Sequence, residues 1–321
     1  MVGRISARES VGKLLADLGE EFLNLVILGG DLNKSTFSNI FGAKFPERFF
    51  DFGPAEQNIV SVAAGMASTG KIPVISTFAV FATSRPYDQL RVGVSQSNLN
   101  VKIIATHAGI LTGEDGVSAQ SIEDIAIMSA LHNFKVIVPV DTNEALQATR
   151  VAIESDGPFY IRLSRPAIPV INKDDYRFVL GQGYKLREGN NVTIIACGIM
   201  VSFALEAAES LKNIGIECRV INMSTLTPID KNIIIDSAKK TGAIVTAEEH
   251  YIIGGLGSLV SQILSTNIPV PMESVALTSY AESGKPEDLF QKYGLTSEKI
   301  IEAVKKVNHR KPSLTEQDII N

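Results

Sequence analysis

Hydrophobic and polar positions alternate along the chain between a helical spacing and a strand-like spacing. Residues 7–20 repeat apolar side chains at intervals of three and four, which predicts an amphipathic helix, and residues 24–29 are a short apolar run typical of a buried strand. Residues 56–68 predict a second helix. Further β-branched strands are predicted at 72–77, 102–106, 135–139 and 159–163. Because strands and helices alternate, the pattern predicts a parallel sheet with helices on both faces.

The alternation breaks between residues 164 and 189, where prolines, charged residues and glycines predict a linker. It restarts at residue 192, and the elements predicted there are strands at 192–196, 217–222 and 243–247 and helices at 200–214, 230–241, 257–266 and 297–307. A chain of 321 residues is long for one hydrophobic core. We therefore predict an α/β protein of two domains, each a mainly parallel sheet with helices on both faces. The predicted bounds are 1–168 for the first domain, 169–189 for the linker and 190–321 for the second domain.

Composition narrows the class of partner. Charged residues make up 20% of the chain and the formal net charge is -5, so no general basic surface is expected to attract nucleic acid or an anionic membrane. The apolar runs are strand-sized, and the first ten residues lack the apolar core of an export signal. A cytoplasmic protein that binds small molecules and other proteins is predicted. Cys197 and Cys218 lie in apolar strands, which indicates buried thiols without a functional role.

Glu56 is a single acid at the start of an otherwise apolar helix rich in small residues. The simplest explanation is a carboxylate favoured by the helix dipole, worth about 0.3–1 kcal/mol, and spacing alone favours it. The small residues Val62, Ala63, Ala64 and Ala67 also suit close packing against another surface. Such packing would bury Glu56, and a buried carboxylate tends to be protonated and able to donate a hydrogen bond.

A larger set of motifs carries a resemblance to a known family. In the first domain these are the segments 30–36, 55–58, 64–67, 76–81, 88–91, 106–107 and 113–116, and in the second they are 245–250, 254–257, 282–284 and 292–296. In order and spacing, the first set resembles the pyrimidine-binding domain of transketolases. The second set resembles the C-terminal domain that transketolase shares with deoxyxylulose-phosphate synthase. The resemblance covers nearly the whole chain.

The resemblance implies a thiamine diphosphate site. It places Glu56 against the N1′ nitrogen of the cofactor's aminopyrimidine, where a glutamate acts as a proton relay. It also places Asp31 and Leu32 in a loop that contacts the cofactor, and Phe81, with Phe78 less directly, against the pyrimidine ring. Ser84 stands where some relatives have another aromatic residue, so the stacking surface is expected to be smaller here.

The resemblance also implies a site for sugar phosphates. Arg8, Ser35, His107 and Arg165 fall at positions that resemble the phosphate-binding set, and charge-assisted donors are what a phosphate requires. His107 follows a predicted strand, where α/β sheets place ligands, and is implied to take part in catalysis together with the glutamate. Asp115 resembles the aspartate that binds a hydroxyl of the donor sugar. Taken singly, the two arginines are better explained as surface or linker ion-pair residues, and a structural role is an alternative for His107.

Several positions depart from the family or suggest other chemistry. Many transketolases have histidine where Ala119 stands, and the synthases have isoleucine where Pro54 stands. The acids and histidine at 248–250 precede glycines at 254–257, but these glycines do not follow the Gly-x-Gly-x-x-Gly spacing. We predict a structural turn there, and no metal site on this chain.

Family members hold the cofactor's diphosphate through Mg²⁺ bound by a Gly-Asp-Gly motif and a later asparagine, which are oxygen ligands suited to that ion. This chain lacks the motif, and it begins where the middle domain of a full-length transketolase would begin. The resemblance therefore implies a partner, an N-terminal subunit that holds Mg²⁺ and the diphosphate in an α₂β₂ assembly. Alone, the chain is expected to form a homodimer that covers its apolar patches.

Three alternatives compete with transketolase. The β subunit of pyruvate-dehydrogenase-type decarboxylases has a similar length, but segments 78–81 and 113–116 favour transketolase. Deoxyxylulose-phosphate synthase shares the second set of motifs, but segments 30–36 and 77–91 favour transketolase. A non-catalytic scaffolding subunit would have no need of Glu56, Phe81, His107 and Asp115 together. The sequence therefore favours a transketolase subunit.

Overall fold

The structure is a computed structural model and describes residues 3–311. The strands alternate with helices as the hydrophobic pattern predicts. The strands are β1 Arg4–Ile5, β2 Leu25–Gly29, β3 Phe49–Asp51, β4 Ile72–Ser76, β5 Lys102–Ala105, β6 Lys135–Ile137, β7 Phe159–Arg162, β8 Ile168–Pro169, β9 Tyr184–Arg187, β10 Val192–Ala196, β11 Cys218–Asn222, β12 Thr225–Thr227, β13 Ile244–Tyr251 and β14 Met272–Leu277.

The α-helices connect these strands. They are α1 Ala7–Glu21, α2 Asn33–Thr36, α3 Asn39–Lys44, α4 Glu56–Ser68, α5 Ala79–Ser84, α6 Tyr87–Gln89, α7 Asp124–Ser129, α8 Thr142–Glu154, α9 Met200–Lys212, α10 Lys231–Thr241, α11 Leu256–Asn267, α12 Pro286–Tyr293 and α13 Ser297–His309. Short 3₁₀ turns occupy Pro46–Arg48 and Ile110–Asp115, and a π-helical turn occupies Leu90–Ser95. Across the described residues, no helix has the length and apolar character that a membrane crossing requires.

The first sheet has seven strands in the order β12-β6-β7-β5-β4-β2-β3, parallel except for β12. Its strands are apolar on both faces because helices cover both. Leu25 and Ile27 pack with α1 and α8 on one side, while Val26 and Leu28 pack with α4 on the other. The second sheet has the order β14-β13-β10-β11-β9, parallel except for β9, with α9 and α13 on one face and α10 and α11 on the other. The predicted α/β fold class is confirmed.

Strands β9, β12 and β13 differ from the sequence-based expectation. Strand β9 lies inside the predicted linker 169–189, and its residues are exposed or half-buried because it is an antiparallel edge strand. Strand β12 comes from the second half of the chain but pairs with β6 of the first sheet. Strand β13 runs to Tyr251 rather than ending at residue 247, because the polar residues 248–250 are buried and hydrogen-bonded.

A buried ion-pair network joins the two halves of the chain. The Arg162 Nε donates to Asp124 Oδ2 at 2.8 Å, and its Nη2 donates to the backbone oxygens of Ser121 and Glu249 at 3.2 and 2.9 Å. The Tyr160 hydroxyl donates to the same Asp124 oxygen at 2.5 Å. Burial alone would raise the pKa of Asp124, but the Arg162 guanidinium lowers it below its usual range. Asp124 is therefore a carboxylate that depends on Arg162.

Replacing Arg162 by leucine should destabilise the protein strongly. The substitution leaves Asp124 buried without its cation, a change that typically costs about 3–5 kcal/mol. Chemical denaturation followed by circular dichroism should show an unfolding midpoint at clearly lower denaturant concentration. The matched control is Arg150→Leu, which breaks an exposed pair with Glu21 and should change the midpoint little. Equal shifts in the two variants would contradict the role given to Arg162.

Candidate active site

The carboxyl ends of neighbouring strands bring the predicted site residues to one edge of the first sheet. Asp31 follows β2, Phe78 follows β4, His107 follows β5 and Arg165 follows β7, and these four strands are adjacent in the order β7-β5-β4-β2. In open α/β sheets, ligands bind at this edge. The parallel topology therefore explains why residues far apart in the sequence lie together.

Two of these residues have a left-handed backbone. Asp31 has a φ of 67° and His107 a φ of 57°, a region that costs a non-glycine residue about 1–3 kcal/mol. Hydrogen bonds hold both turns: the Asp31 N–H donates to Asp51 Oδ1 at 3.0 Å, and Thr112 Oγ1 donates to the His107 carbonyl at 2.7 Å. Strain of this kind is concentrated at functional sites, which supports a site at this edge.

Glu56 is the first residue of α4, and its side chain is only 4% exposed. Its two carboxylate oxygens accept hydrogen bonds from Arg85 Nη1 at 2.9 and 3.0 Å. Burial of Glu56 agrees with the close packing inferred from its small neighbours. The ion pair with Arg85 was not foreseen. Glu56, Gln57, Arg85 and Pro54 line a cleft that opens to the surface.

A row of stacked side chains connects His107 to Glu56. The rings of His107 and Phe78 stack with centroids 3.6 Å apart, and those of Phe78 and Phe81 lie nearly parallel at 5.8 Å. The Arg85 guanidinium lies over the Phe81 ring, 4.0 Å from its centroid, and continues to Glu56. We call the series His107-Phe78-Phe81-Arg85-Glu56 the aromatic row, although its last two members are not aromatic. It includes both predicted catalytic residues. Arg85 follows Phe81 by four residues, a helical spacing that places the two side chains together and was the available sequence signal.

His107 is held as a neutral imidazole. The side chain is 2% exposed, and its Nδ1 lies 2.8 Å from Thr106 Oγ1. Burial, and then the positive charges of Arg8 and Arg165, lower the pKa of His107 to about 3. A neutral imidazole can exchange hydrogen bonds with a ligand without adding charge.

The predicted phosphate-binding residues also lie together. Arg8 Nη1 donates to the Ser35 carbonyl at 2.5 Å, and Arg165 Nη1 donates to the Thr112 carbonyl at 2.7 Å. Burial and the nearby Arg165 lower the pKa of Arg8, which indicates two guanidinium groups in repulsive proximity. Within residues 3–311, Arg8 Nε is buried without a hydrogen-bond partner. An oxyanion bound here would relieve the repulsion and use the remaining donors.

Arg8 and Arg165 form a basic cluster, and the acidic residue predicted to bind a sugar hydroxyl lies beside it. Asp115 is exposed at the end of the 3₁₀ turn, with Oδ1 3.9 Å from Arg165 Nη2. Glu114 Oε2 lies 3.6 Å from Arg165 Nη1 and contributes a second acidic contact. Arg165 is therefore held between a backbone carbonyl and two acids.

The loop after β2 forms a separate cleft beside the site. Asp31, Leu32 and Ser35 line it together with Phe49. Asp51 fixes the loop: its carboxylate accepts from the Asp31 N–H and, at 2.6 Å, from Asn33 Nδ2. Partial burial opposes ionisation of Asp51, but the hydrogen bonds from Gly53, Asp31 and Asn33 lower its pKa. The predicted cofactor-contacting loop is thus anchored to the loop that leads into α4.

Family comparisons agree with this arrangement of two α/β domains around a sheet-edge site. Residues 3–170 match the family described as Transketolase, pyrimidine binding domain, and residues 181–300 match Transketolase, C-terminal domain. The fold and these two matches thus define a pyrimidine-binding domain joined to a second domain of the transketolase type.

Individual relatives extend this result. A protein of Methanocaldococcus jannaschii named for a transketolase C-terminal section is 42% identical, covering 92% of this chain and 94% of the relative. The 6-deoxy-6-sulfo-D-fructose transketolase subunit SqwH of Clostridium sp. strain MSTE9 is 40% identical, covering 95% of each chain. A solved structure described as a split gene transketolase, inactive beta4 tetramer, has a TM-score of 0.90 at 46% identity and covers 96% of this chain and 100% of its own.

The chain therefore belongs to the transketolase family, and in extent it corresponds to the C-terminal subunit of an enzyme divided between two chains. It spans about half the length of its mammalian relatives, 48% in the case of Transketolase-like protein 2 of Mus musculus.

The depressed pKa of His107 should appear in the pH dependence of stability. Between about pH 6.5 and pH 3 the unfolded chain binds a proton at His107 that the folded chain does not, so the free energy of unfolding should fall as the pH falls. The full contribution is of the order of 5 kcal/mol. Urea midpoints measured at pH 7, 5 and 4 should decline less for His107→Gln than for the parent. His309→Gln, at an exposed position, is the control, and parallel declines in all three proteins would contradict the pKa assignment.

Proposed function

We propose that this chain is the pyrimidine-side subunit of a two-chain transketolase, which transfers a two-carbon ketol unit between sugar phosphates with thiamine diphosphate. The observation that carries the proposal is the aromatic row. It runs from a buried glutamate through Arg85 and a half-buried aromatic ring to Phe78 and a neutral histidine, at the carboxyl edge of a parallel sheet where ligands bind. Family membership supports the same chemistry.

The residues fit the aminopyrimidine half of thiamine diphosphate. Glu56 would offer its carboxylate to a ring nitrogen in an open cleft, and Phe81 would offer a face for stacking beside it once Arg85, which covers that ring here, is displaced. When bound, thiamine diphosphate supplies the carbanion chemistry, while the protein orients it and manages protons.

Within that site, Glu56 would hold the proton exchanged with the ring nitrogen. For this contact the carboxylate must give up at least one of its two hydrogen bonds with Arg85. Arg85 would also have to leave the Phe81 ring for the pyrimidine to stack there, and its half-exposed side chain has room to move. Closing the cleft with a second subunit would exclude water and strengthen the proton relay.

The basic cluster would bind the anionic end of the sugar. Arg8 and Arg165 supply charge-assisted donors, and His107 between them contributes hydrogen bonding without charge. Asp115 would accept from a sugar hydroxyl. The Clostridium relative is named for a sulfonated sugar, and a sulfonate is an oxyanion of similar geometry, so both anions belong in the substrate panel.

An N-terminal subunit would complete the site. The chain has no Gly-Asp-Gly motif to hold Mg²⁺ and the diphosphate, so we place both on the partner, in an α₂β₂ assembly. The open clefts around Glu56 and Asp31 support a site shared between chains. Alone, the chain would self-associate, at least as a homodimer. The structural relative described as an inactive beta4 tetramer supports both the self-association and the lack of activity.

Reconstitution with an N-terminal transketolase subunit tests the function. The mixture, with Mg²⁺ and thiamine diphosphate, should transfer a ketol unit from xylulose 5-phosphate to ribose 5-phosphate, whereas each chain alone should not. In Glu56→Gln, kcat should fall about 10²–10⁴-fold, because the proton relay is lost while the fold remains. The control is Glu47→Gln, at an exposed glutamate of the same domain.

An inactive mixture of parent chains would refute the transketolase assignment. Full activity in Glu56→Gln would instead favour a scaffolding subunit whose partner carries the chemistry.

The basic cluster has its own test in the reconstituted enzyme. Arg165→Gln should raise KM for the sugar phosphate about 10- to 100-fold, as expected for a lost charge-assisted hydrogen bond. An acceptor aldose without a phosphate should be unaffected. The matched control is Arg177→Gln, because Arg177 donates to the backbone carbonyls of Asp174 and Tyr176, away from the site. Equal weakening of both acceptors would show that Arg165 does not bind the phosphate.

A further inference from the structure

One carboxylate of the second domain contacts a loop of the candidate site. Glu249 lies on β13, is buried, and accepts a hydrogen bond at its Oε1 from the Leu111 N–H at 2.7 Å, across 138 residues of sequence. Burial raises the pKa of Glu249 to about 7, while the Arg162 cation and the N–H groups of Leu111 and Ile110 act in the opposite direction and favour the carboxylate. These two residues begin the 3₁₀ turn Ile110–Asp115. A side chain of one domain therefore anchors a loop of the other.

Because Gly109 has no side chain, the Glu249 carboxyl group can approach the start of the turn closely. The residue has a φ of 74°, and a Cβ built on it would lie 2.2 Å from both Cδ and Oε1 of Glu249. The carboxyl group occupies the space that a side chain at position 109 would fill. The start of the turn is thus fixed by packing as well as by hydrogen bonds.

The anchored turn carries the parts of the site that face substrate. Thr112, one residue beyond Leu111, accepts from Arg165 at its carbonyl and donates to the His107 carbonyl from its hydroxyl, each at 2.7 Å. Asp115 is the last residue of the same turn. A displacement of the turn at Leu111 would move Thr112 and Asp115 and, through the contacts of Thr112, the Arg165 side chain and the His107 backbone.

Arg162 also contacts Glu249. The Glu249 backbone oxygen accepts from Arg162 Nη2 at 2.9 Å, and its Oε2, which has no hydrogen-bond partner within residues 3–311, lies 3.9 Å from Arg162 Nη1. The Leu111 hydrogen bond and the nearby cation together orient the carboxyl group, and a buried group oriented in this way is suited to position others.

We propose that Glu249 is a positioning residue for substrate: it sets the place of the 110–115 turn, and through Thr112 the places of Arg165 and His107. The inference rests on the proposed function for what those residues bind. It also gives the second domain a part in the site.

Glu249→Leu in the reconstituted complex tests the inference. We expect KM for xylulose 5-phosphate to rise about tenfold, with KM for thiamine diphosphate unchanged, since the turn contacts the substrate end of the site. In the isolated chain, hydrogen exchange at Ile110 and Leu111 should be about 10- to 100-fold faster. Glu249→Gln keeps the Oε1 acceptor and should restore both quantities toward the parent values.

Glu248 provides a matched control on the same strand. It is equally buried, but its carboxylate accepts from the Leu256 and Gly257 N–H groups at the start of α11, at 2.7 and 2.8 Å. Glu248→Leu should speed exchange at those two amides and leave KM for the sugar phosphate unchanged. An equal rise in KM in the two leucine variants would overturn the inference, because general loosening of the second domain would then explain both.

Two further outcomes decide the remaining cases. If Glu249→Leu does not fold, Gly109→Ala disturbs the same contact from the other side and should raise KM similarly; a parent-like KM in this variant overturns the proposal. If the parent complex shows no ketol transfer, the proposed function fails. Hydrogen exchange in the isolated chain then still tests whether Glu249 fixes the 110–115 turn. Faster exchange at 110–111 in Glu249→Leu alone supports the positioning role, whereas unchanged exchange overturns it.

Discussion

A fully buried guanidinium constrains the whole architecture. Removing Arg162 from water is costly, and the cost is offset only if anions and carbonyl oxygens surround it. Asp124 and Ser121 supply partners from the first domain, and Glu249 supplies a backbone oxygen from the second. This cation therefore helps to fix the two sheets to one another, together with the pairing of β12 with β6 and the contact of Glu249 with Leu111.

This constraint matters because the site is assembled from ends of strands. Parallel pairing places the residues after β2, β4, β5 and β7 along one edge, but it does not by itself decide where their side chains point. Local strain at Asp31 and His107, stacking along the aromatic row and the anchored 3₁₀ turn supply that precision. Charge is distributed accordingly, with two arginines and an uncharged histidine at one end and a paired carboxylate at the other.

Much of the fold was accessible from hydrophobic spacing. The helix Glu56–Ser68 and the strand Val192–Ala196 have the predicted bounds, because their burial is regular and their ends carry clear signals. Strands β9 and β12 were missed since each is stabilised by pairing with a distant strand rather than by an apolar run. The early end predicted for β13 has a related cause: its polar residues are buried through partners that no local pattern can reveal.

The candidate site, like the fold, was predictable only where the sequence carries a local signal. Motif order identified the residues that now lie together at the sheet edge. Arg85 and Glu249 were missed as parts of the site. The spacing of Phe81 and Arg85 was a local signal, but the contacts of Arg85 with Glu56 and of Glu249 with Leu111, across 138 residues, depend on tertiary structure. The spacing of the glycines at 254–257 argued against a nucleotide loop, but it offered no means of finding what the side chains at 248–250 contact.

The crossing of β12 into the first sheet has an implication for how such chains evolve. Thr225–Thr227 covers the outer edge of β6, although it is encoded well beyond the apparent boundary between the domains. A recombination event at that boundary would leave β6 with unpaired backbone groups. An exposed edge of this kind can pair with strands of other chains and promote aggregation. Gene fission or fusion on either side of the whole chain avoids this damage, so the two domains are expected to be inherited as one unit rather than exchanged as separate modules.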